Sequence, residues 1–126
     1  CASFYKRYSP APIGCILFDL DYYSSTMGSF QIFDTLPTSY MPRVYCYFDD
    51  ILSEGLRASS EYVGVLRAID EFNESSTDRK LAKIPGLAVS RKIPAHWNEQ
   101  IYVFHDFSHP QYCEFIGNAH QDLPLA

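Results

Sequence analysis

Two short apolar segments, each ended by acidic residues, constrain the fold of this chain more than any other feature. The first is IGCILF at 13–18, which ends at Asp19, and the second is RVYCYF at 43–48, which ends at Asp49 and Asp50. Segments of this length are typical of β-strands, and a strand that is apolar on both faces is typical of a sheet centre covered by helices on both sides. The sequence therefore predicts a central strand at 13–18 and a second strand at 43–48.

Helical spacing follows each of these strands. Ser24-Ser25 offers an N-cap for a helix that reaches Pro37, in which apolar residues recur at helical intervals: Met27, Phe30 and Phe33. After a predicted loop at 51–59, Ser60 offers the N-cap of a second helix, whose apolar face is formed by Tyr62, Val65, Leu66, Ile69 and Phe72.

Two more strand segments complete the pattern, at 81–92, broken at Pro85-Gly86, and at 100–107. The order β-α-β-α-β-β predicts an α/β fold with parallel β-α-β units and right-handed crossovers. The last two strands are joined without a helix, so they are predicted to form a terminal antiparallel pair.

The length of 126 residues predicts one domain. We place a connecting segment at 1–12, the domain at 13–107 and a polar, loosely wrapped tail at 108–126. The chain begins at Cys1 rather than Met, and we expect it to be a piece of a longer protein.

The charge of the chain disfavours nucleic acid as a partner. Ten basic and fifteen acidic residues give a net charge of −5, which a phosphate backbone repels. Five basic residues are nevertheless clustered, and the pattern favours a charged strand edge over a docking patch for an anion: Arg79, Lys80, Lys83, Arg91 and Lys92. No apolar segment has the roughly 20 residues needed to span a bilayer, so no membrane partner is expected.

The four cysteines indicate a reducing compartment, and we expect a cytoplasmic protein. They are scattered, without a C-x-x-C pair or the density of a disulfide scaffold. Cys15 and Cys46 lie inside strand segments, where free cysteine is predicted to pack in the core. The four histidines also lack a ligand pattern on a helix and are expected at the surface or in hydrogen bonds: His96, His105, His109 and His120.

Acidic residues at the ends of two parallel strands make the strongest candidate site. The ligand crevice of an open α/β sheet lies beyond the carboxyl ends of its strands, and neighbouring strands are about 4.8 Å apart. Carboxylates that share this edge repel one another unless protons or a cation compensate, and oxygen ligands of this kind suit Mg²⁺ or Mn²⁺. The alternative is that Asp21 and Asp49 cap loops or helix starts.

The order of these motifs resembles class I S-adenosylmethionine-dependent methyltransferases, especially the macrocin O-methyltransferase-like group. The matching segments are Asp19-Leu20-Asp21-Tyr22-Tyr23-Ser24-Ser25-Thr26 and Tyr47-Phe48-Asp49-Asp50. The resemblance covers about residues 13–105. It implies a Rossmann-like fold, a divalent metal held by Asp19, Asp49 and Asp50, and an O-methyltransferase that acts on a small hydroxylated acceptor. It also implies that the acceptor oxygen is deprotonated with the help of a carboxylate, with Asp19 and Asp21 as the catalytic candidates, or because the metal lowers the pKa of the acceptor hydroxyl.

The chain departs from that group in one respect. The glycine-rich loop that holds the cofactor after the first strand is missing, because the six glycines are isolated and form no G-x-G. The resemblance therefore implies the C-terminal half of the fold, strands four to seven, with the cofactor-binding residues outside this chain. We expect the isolated chain to be inactive and to pair with the missing N-terminal half or with a second copy.

Two other functions compete with this one. The first is a non-catalytic assembly or binding module that kept the sheet and lost the cofactor half. The second is a haloacid-dehalogenase-like phosphatase, whose D-x-D-x-T/V motif Asp19-Leu20-Asp21 resembles. Tyr23 stands where that family has Thr or Val, and the segment up to Asp49 is too short for the family's intervening motifs.

Overall fold

The computed structural model describes residues 2–51, 60–90 and 92–114. The elements in chain order are α1 (Ala2–Tyr8), β1 (Ile13–Phe18), α2 (Tyr23–Ser29), β2 (Tyr40–Phe48), α3 (Gly64–Ser75), β3 (Arg79–Lys83) and β4 (Ile101–Asp106). Four short 3₁₀ segments join them: Phe30–Asp34, Pro37–Ser39, Asp49–Ile51 and His96–Gln100.

The four strands form one mixed sheet in the order β1-β2-β4-β3. β1 is parallel to β2, whereas β4 is antiparallel to both β2 and β3. The prediction of an α/β fold with parallel first strands and an antiparallel terminal pair is confirmed in these terms.

Helices α2 and α3 cover one face of this sheet. Burial alternates along β2, because its even-numbered residues face the helices and its odd-numbered residues face away. Aromatic stacking dominates the covered face: the ring centroids of Phe18 and Phe48 are 4.6 Å apart, and those of Phe33 and Phe104 are 3.8 Å apart. The cluster also contains Phe30, Val44, Cys46, Ala68, Ile69, Phe72 and Leu81.

The opposite face of the sheet is open near β1. Leu17 is 75% exposed, Tyr45 is 58% exposed, and Cys15 is also exposed. In the described part of the chain, 13–18 is therefore not a central strand covered on both sides: β1 is an edge strand of the sheet, and its Cys15 and Leu17 are exposed. Cys46 is fully buried as predicted, but the prediction of a core position for Cys15 is wrong for the same reason.

Both predicted helix caps are wrong. α2 begins at Tyr23, one residue before Ser24, and neither helix has a side-chain hydrogen bond at its N-cap. α3 begins only at Gly64, whose φ of +59° is a left-handed conformation that favours glycine. Ser60 lies four residues earlier, where its hydroxyl accepts the backbone N–H of Tyr62.

The remaining differences concern the segments outside the regular elements. The predicted connection at 1–12 contains α1, and strand β3 stops at Lys83 because Pro85 and Gly86 begin a turn in which Gly86 has φ +79°. Most of the predicted loop at 51–59 and of the predicted tail at 108–126 lies outside the described residues, at 52–59 and 115–126.

A buried polar network holds the end of β4 against the start of β2. The carboxylate of Asp106 accepts the Tyr40 hydroxyl at 2.9 Å and the Ser108 hydroxyl at 2.7 Å. Burial and this carboxylate raise the pKa of Tyr40 to about 12. His109 is also buried, with Nε2 3.0 Å from the carbonyl oxygen of Pro37, so the segment after Asp106 is anchored to the fold at this residue.

Among the described helices, none has both the length and the hydropathy needed to cross a bilayer.

Candidate functional site

The candidate site lies where β1 and β2 end side by side. Phe18 and Phe48 are paired in the parallel register, so Asp19 and Asp49 leave the sheet from adjacent positions. The backbone N–H of Leu20 donates to Oδ2 of Asp50 at 2.9 Å. This hydrogen bond joins the acidic segment after β1 directly to the acidic segment after β2.

Asp50 is the electrostatic centre of this edge. Its side chain is half-buried, and loss of solvation is the largest cause that raises the pKa of its carboxyl group. The charges of Asp21, Asp19 and Asp49 raise the pKa further, while the hydrogen bond from Leu20 lowers it. The three other carboxylates predicted to share this edge therefore repel the charge of Asp50, and its ionised form is disfavoured.

Asp49 belongs to a separate hydrogen-bond network with Tyr47 and Gln100. Its Oδ1 lies 3.0 Å from the Tyr47 hydroxyl, and the same hydroxyl lies 2.9 Å from Oε1 of Gln100. The amide Nε2 of Gln100 in turn donates to the backbone oxygen of Asp49 at 2.5 Å. Burial raises the pKa of the Tyr47 hydroxyl, and the adjacent Asp49 raises it further.

Gln100 and Asn98 are the two residues of this region that sequence reasoning missed. Both are buried in the 3₁₀ segment His96–Gln100, which packs against the 3₁₀ segment Asp49–Ile51. The amide of Asn98 has no hydrogen-bond partner among the described residues, although a buried amide normally has one. Neither residue belongs to a motif, so only the tertiary contact could have identified them.

Asp19 and Asp21 are exposed beside this network. α2 begins directly after them, and the hydroxyl of Thr26 donates to the backbone oxygen of Tyr22 at 3.1 Å. The Tyr23 hydroxyl donates to Glu71 of α3 and so fixes the start of α2 against that helix. The two exposed carboxylates are therefore presented from an anchored turn.

The predicted metal ligands share an edge but do not form a ready ligand set. In the described part of the chain, no group of three or more His, Cys, Asp or Glu side chains is arranged to hold a metal ion. The Asp49 carboxylate faces Tyr47, whereas that of Asp50 accepts the N–H of Leu20. A divalent ion bound by Asp19, Asp49 and Asp50 requires these side chains to rearrange.

Three of the five residues of the basic cluster form ion pairs or hydrogen bonds within the fold. Arg79 pairs with Asp34 at 2.9 Å, and Lys83 pairs with Glu99. The ammonium group of Lys80 donates to the backbone oxygens of Asn73 and Ser76, near the end of α3. These contacts agree with a charged strand edge; Arg91 lies outside the described residues.

Two histidines take part in structural hydrogen bonds. Nδ1 of His105 lies 2.9 Å from the Tyr112 hydroxyl, and burial together with the charge of Arg43 lowers the pKa of His105. Nδ1 of His109 accepts the backbone N–H of Gln111 at 3.1 Å. His120 lies outside the described residues.

Comparison of the chain with protein-family profiles, with curated proteins and with solved structures finds no match.

Proposed function

We propose that this chain is the C-terminal part of a Rossmann-like methyltransferase domain, in a cytoplasmic protein that transfers a methyl group from S-adenosylmethionine to a hydroxyl of a small acceptor. The observation that carries the proposal is the hydrogen bond from Leu20 to Asp50. It joins the D-x-D segment after β1 to the D-D segment after β2, the two motifs on which the resemblance depends.

The sheet supports the proposal in its coarse features. Two parallel strands precede an antiparallel pair, and the acidic residues follow the carboxyl ends of the parallel strands, where open α/β sheets bind their ligands. The chain itself contains no glycine-rich loop, so its residues do not fit the cofactor, and the cofactor-binding part belongs elsewhere.

The proposed contribution of this chain is to the acceptor side of the reaction. When an acceptor oxygen is methylated, its hydroxyl proton must be removed, and an exposed carboxylate beside the oxygen is a suitable general base. Asp19 and Asp21 are exposed at the edge and are assigned this role. We also propose that Mg²⁺ or Mn²⁺ assists the removal of this proton. This part rests only on the negative charge of the acidic residues, because the described residues contain no preformed set of metal ligands.

One observation favours a second candidate function. Asp49 and Asp50 are already satisfied by hydrogen bonds within the fold. Such contacts are those of a structural turn, as expected for a binding module derived from the same fold without catalysis.

The complete reading frame that encodes this chain separates the two functions. The methyltransferase proposal requires a strand, a G-x-G loop and a helix upstream of residue 1. A complete protein without them would contradict it and favour the module.

With the complete protein, Asp19→Asn and Asp21→Asn should reduce methyl transfer while calorimetry still detects the cofactor. Asp78→Asn is the matched control, since Asp78 is an exposed carboxylate beside β3. Unchanged methyl transfer in both edge variants would remove these residues from the proposed role.

A further inference from the structure

The segment after β4, residues 107–114, folds back onto the sheet, and we call it the clasp. Its main contact is Tyr112, which is half-buried. The guanidinium carbon of Arg43 on β2 lies 4.1 Å from the centroid of the Tyr112 ring, and Arg43 also donates to the backbone oxygen of Tyr112 at 3.1 Å. Phe107 packs edge-on against the same ring, with the centroids 5.0 Å apart.

His105 of β4 makes the side-chain hydrogen bond that holds the clasp. Its Nδ1 lies 2.9 Å from the Tyr112 hydroxyl, and its ring is stacked on Phe107 with the centroids 5.6 Å apart. A neutral imidazole can accept the hydroxyl proton at this nitrogen. The neighbouring carboxylate of Asp106 does not face the imidazole, because it is buried and accepts the Tyr40 hydroxyl.

The register of the sheet places His105 between two cations. Its direct partners are Arg43 on β2 and Lys80 on β3. The ammonium group of Lys80 is held by the backbone oxygens of Asn73 and Ser76, whereas Arg43 stays at the clasp. Like charges opposite each other in a sheet are destabilising, so a neutral imidazole suits this position and an imidazolium does not. In agreement, burial and the charge of Arg43 lower the pKa of His105.

We propose that the clasp is a pH-sensitive device, closed on the sheet at neutral pH and released as the solution becomes mildly acidic. When the clasp is open, His105 is hydrated, and Arg43 is no longer held beside it by Tyr112. The imidazole then takes up a proton near its ordinary pKa of 6.5, whereas in the closed form it does so only at lower pH. Acid therefore favours the open form below about pH 6.5, until the closed form binds the proton as well.

The clasp contains a second histidine, which the test must separate from His105. His109 is buried, with Nδ1 accepting the N–H of Gln111 and Nε2 next to the carbonyl oxygen of Pro37. It lies outside the group formed by His105, Arg43 and Tyr112. The inference depends on that group and not on the acidic residues or on the proposed methyl transfer.

Hydrogen exchange of the 126-residue chain tests the proposal. The amide of Tyr112 donates to the backbone oxygen of His109 at 2.9 Å and reports on the clasp. Its protection factor, corrected for the intrinsic exchange rate at each pH, should fall severalfold from pH 8 to pH 5. The limit is about 30-fold, reached if His105 stays neutral in the closed form. At both pH values this amide should be less protected than the amides of β4, because the opening is local.

His105→Gln should remove this pH dependence, because glutamine is neutral and can still accept the Tyr112 hydroxyl. His96→Gln is the matched control, since His96 is an exposed histidine outside the clasp, and it should retain the dependence. Circular dichroism checks that both variants fold.

A nuclear magnetic resonance titration of the His105 ring gives a second measurement that does not need the glutamine variant. Because proton binding and clasp opening are coupled, the coupling acts in both directions. The ring should titrate at lower pH in the wild type than in Tyr112→Ala, in which the clasp has lost its main contact.

Three results would overturn the proposal. They are a Tyr112 protection factor that does not change with pH, a pH dependence that His105→Gln retains, and a His105 ring that titrates at the same pH in the wild type and in Tyr112→Ala. The second result would assign the effect to His109 instead.

Discussion

At the scale of single residues, Asp50 is a carboxylate whose ionised form the fold destabilises. Its carboxylate is half-buried, accepts a hydrogen bond from Leu20, and lies within the field of three other carboxylates. A carboxyl group whose pKa is raised by folding destabilises the folded state wherever it is ionised. The cost is absent below its ordinary pKa of 3.8 and complete above the raised value.

Asp50→Asn should therefore raise the melting temperature at pH 7, by about 2 °C for a charge that remains partly solvated. The amide oxygen of asparagine can still accept the N–H of Leu20, so the hydrogen bond is retained. The gain should disappear near pH 3, where the wild-type carboxyl group is protonated as well. Thermal melts at both pH values check this, with Asp78→Asn as the control; a loss of stability at pH 7 would show that the charge is compensated in the fold.

At the scale of secondary-structure elements, the link between α3 and β3 depends on Asn73. Its side-chain amide occupies the position of a neighbouring strand, since it bonds both the N–H and the carbonyl oxygen of Leu81. Asn73→Ala leaves both groups without a partner at a half-buried position.

The expected loss for Asn73→Ala is about 1–3 kcal/mol of unfolding free energy, measured by urea denaturation. Glu74→Ala, the exposed neighbour on the same helix, should change it by less than about 0.5 kcal/mol. Equal effects of the two substitutions would mean that Asn73 does not close the edge.

The elements also show what the sequence could predict. The bounds of β1 follow from local signals, because an apolar segment that stops at Asp19 leaves little choice. The helix starts do not: α3 begins at Gly64, which has a left-handed backbone conformation, and no serine side chain caps α2 or α3. The exposure of Cys15 depends on what lies over the second face of the sheet, which is a tertiary property that no pattern within 13–18 contains.

The candidate site divides in the same way. Asp19, Asp49 and Asp50 were predictable, because each follows the end of a strand. The direction of the Asp49 side chain was not predictable, because contacts with Tyr47 and Gln100 determine it. Gln100 lies 51 positions further along the chain. A metal ligand set needs side-chain directions as well as positions, so the sequence could predict the edge but not its coordination geometry.

At the scale of the whole molecule, helices α2 and α3 cover one face of the described sheet, and the sequence contains no glycine-rich loop that could accompany its acidic edge. The close approach of backbone to a nucleotide cofactor depends on glycines in series, and the glycines of this chain are isolated. The 126-residue chain should therefore not bind S-adenosylmethionine with micromolar affinity. Isothermal calorimetry measures this, and micromolar binding would show that the cofactor site is present within this chain.

The claim that the carboxyl ends of β1 and β2 form one acidic site is tested most directly by titrating Mn²⁺ into the isotope-labelled chain and recording paramagnetic broadening of amide resonances. Binding should be weak, because Asp49 must leave Tyr47 before it can act as a ligand. We expect broadening to begin at Leu20 and Asp50 and to be reduced in Asp49→Asn. Broadening that is as strong around Asp70 and Glu71, or that Asp49→Asn leaves unchanged, would contradict it.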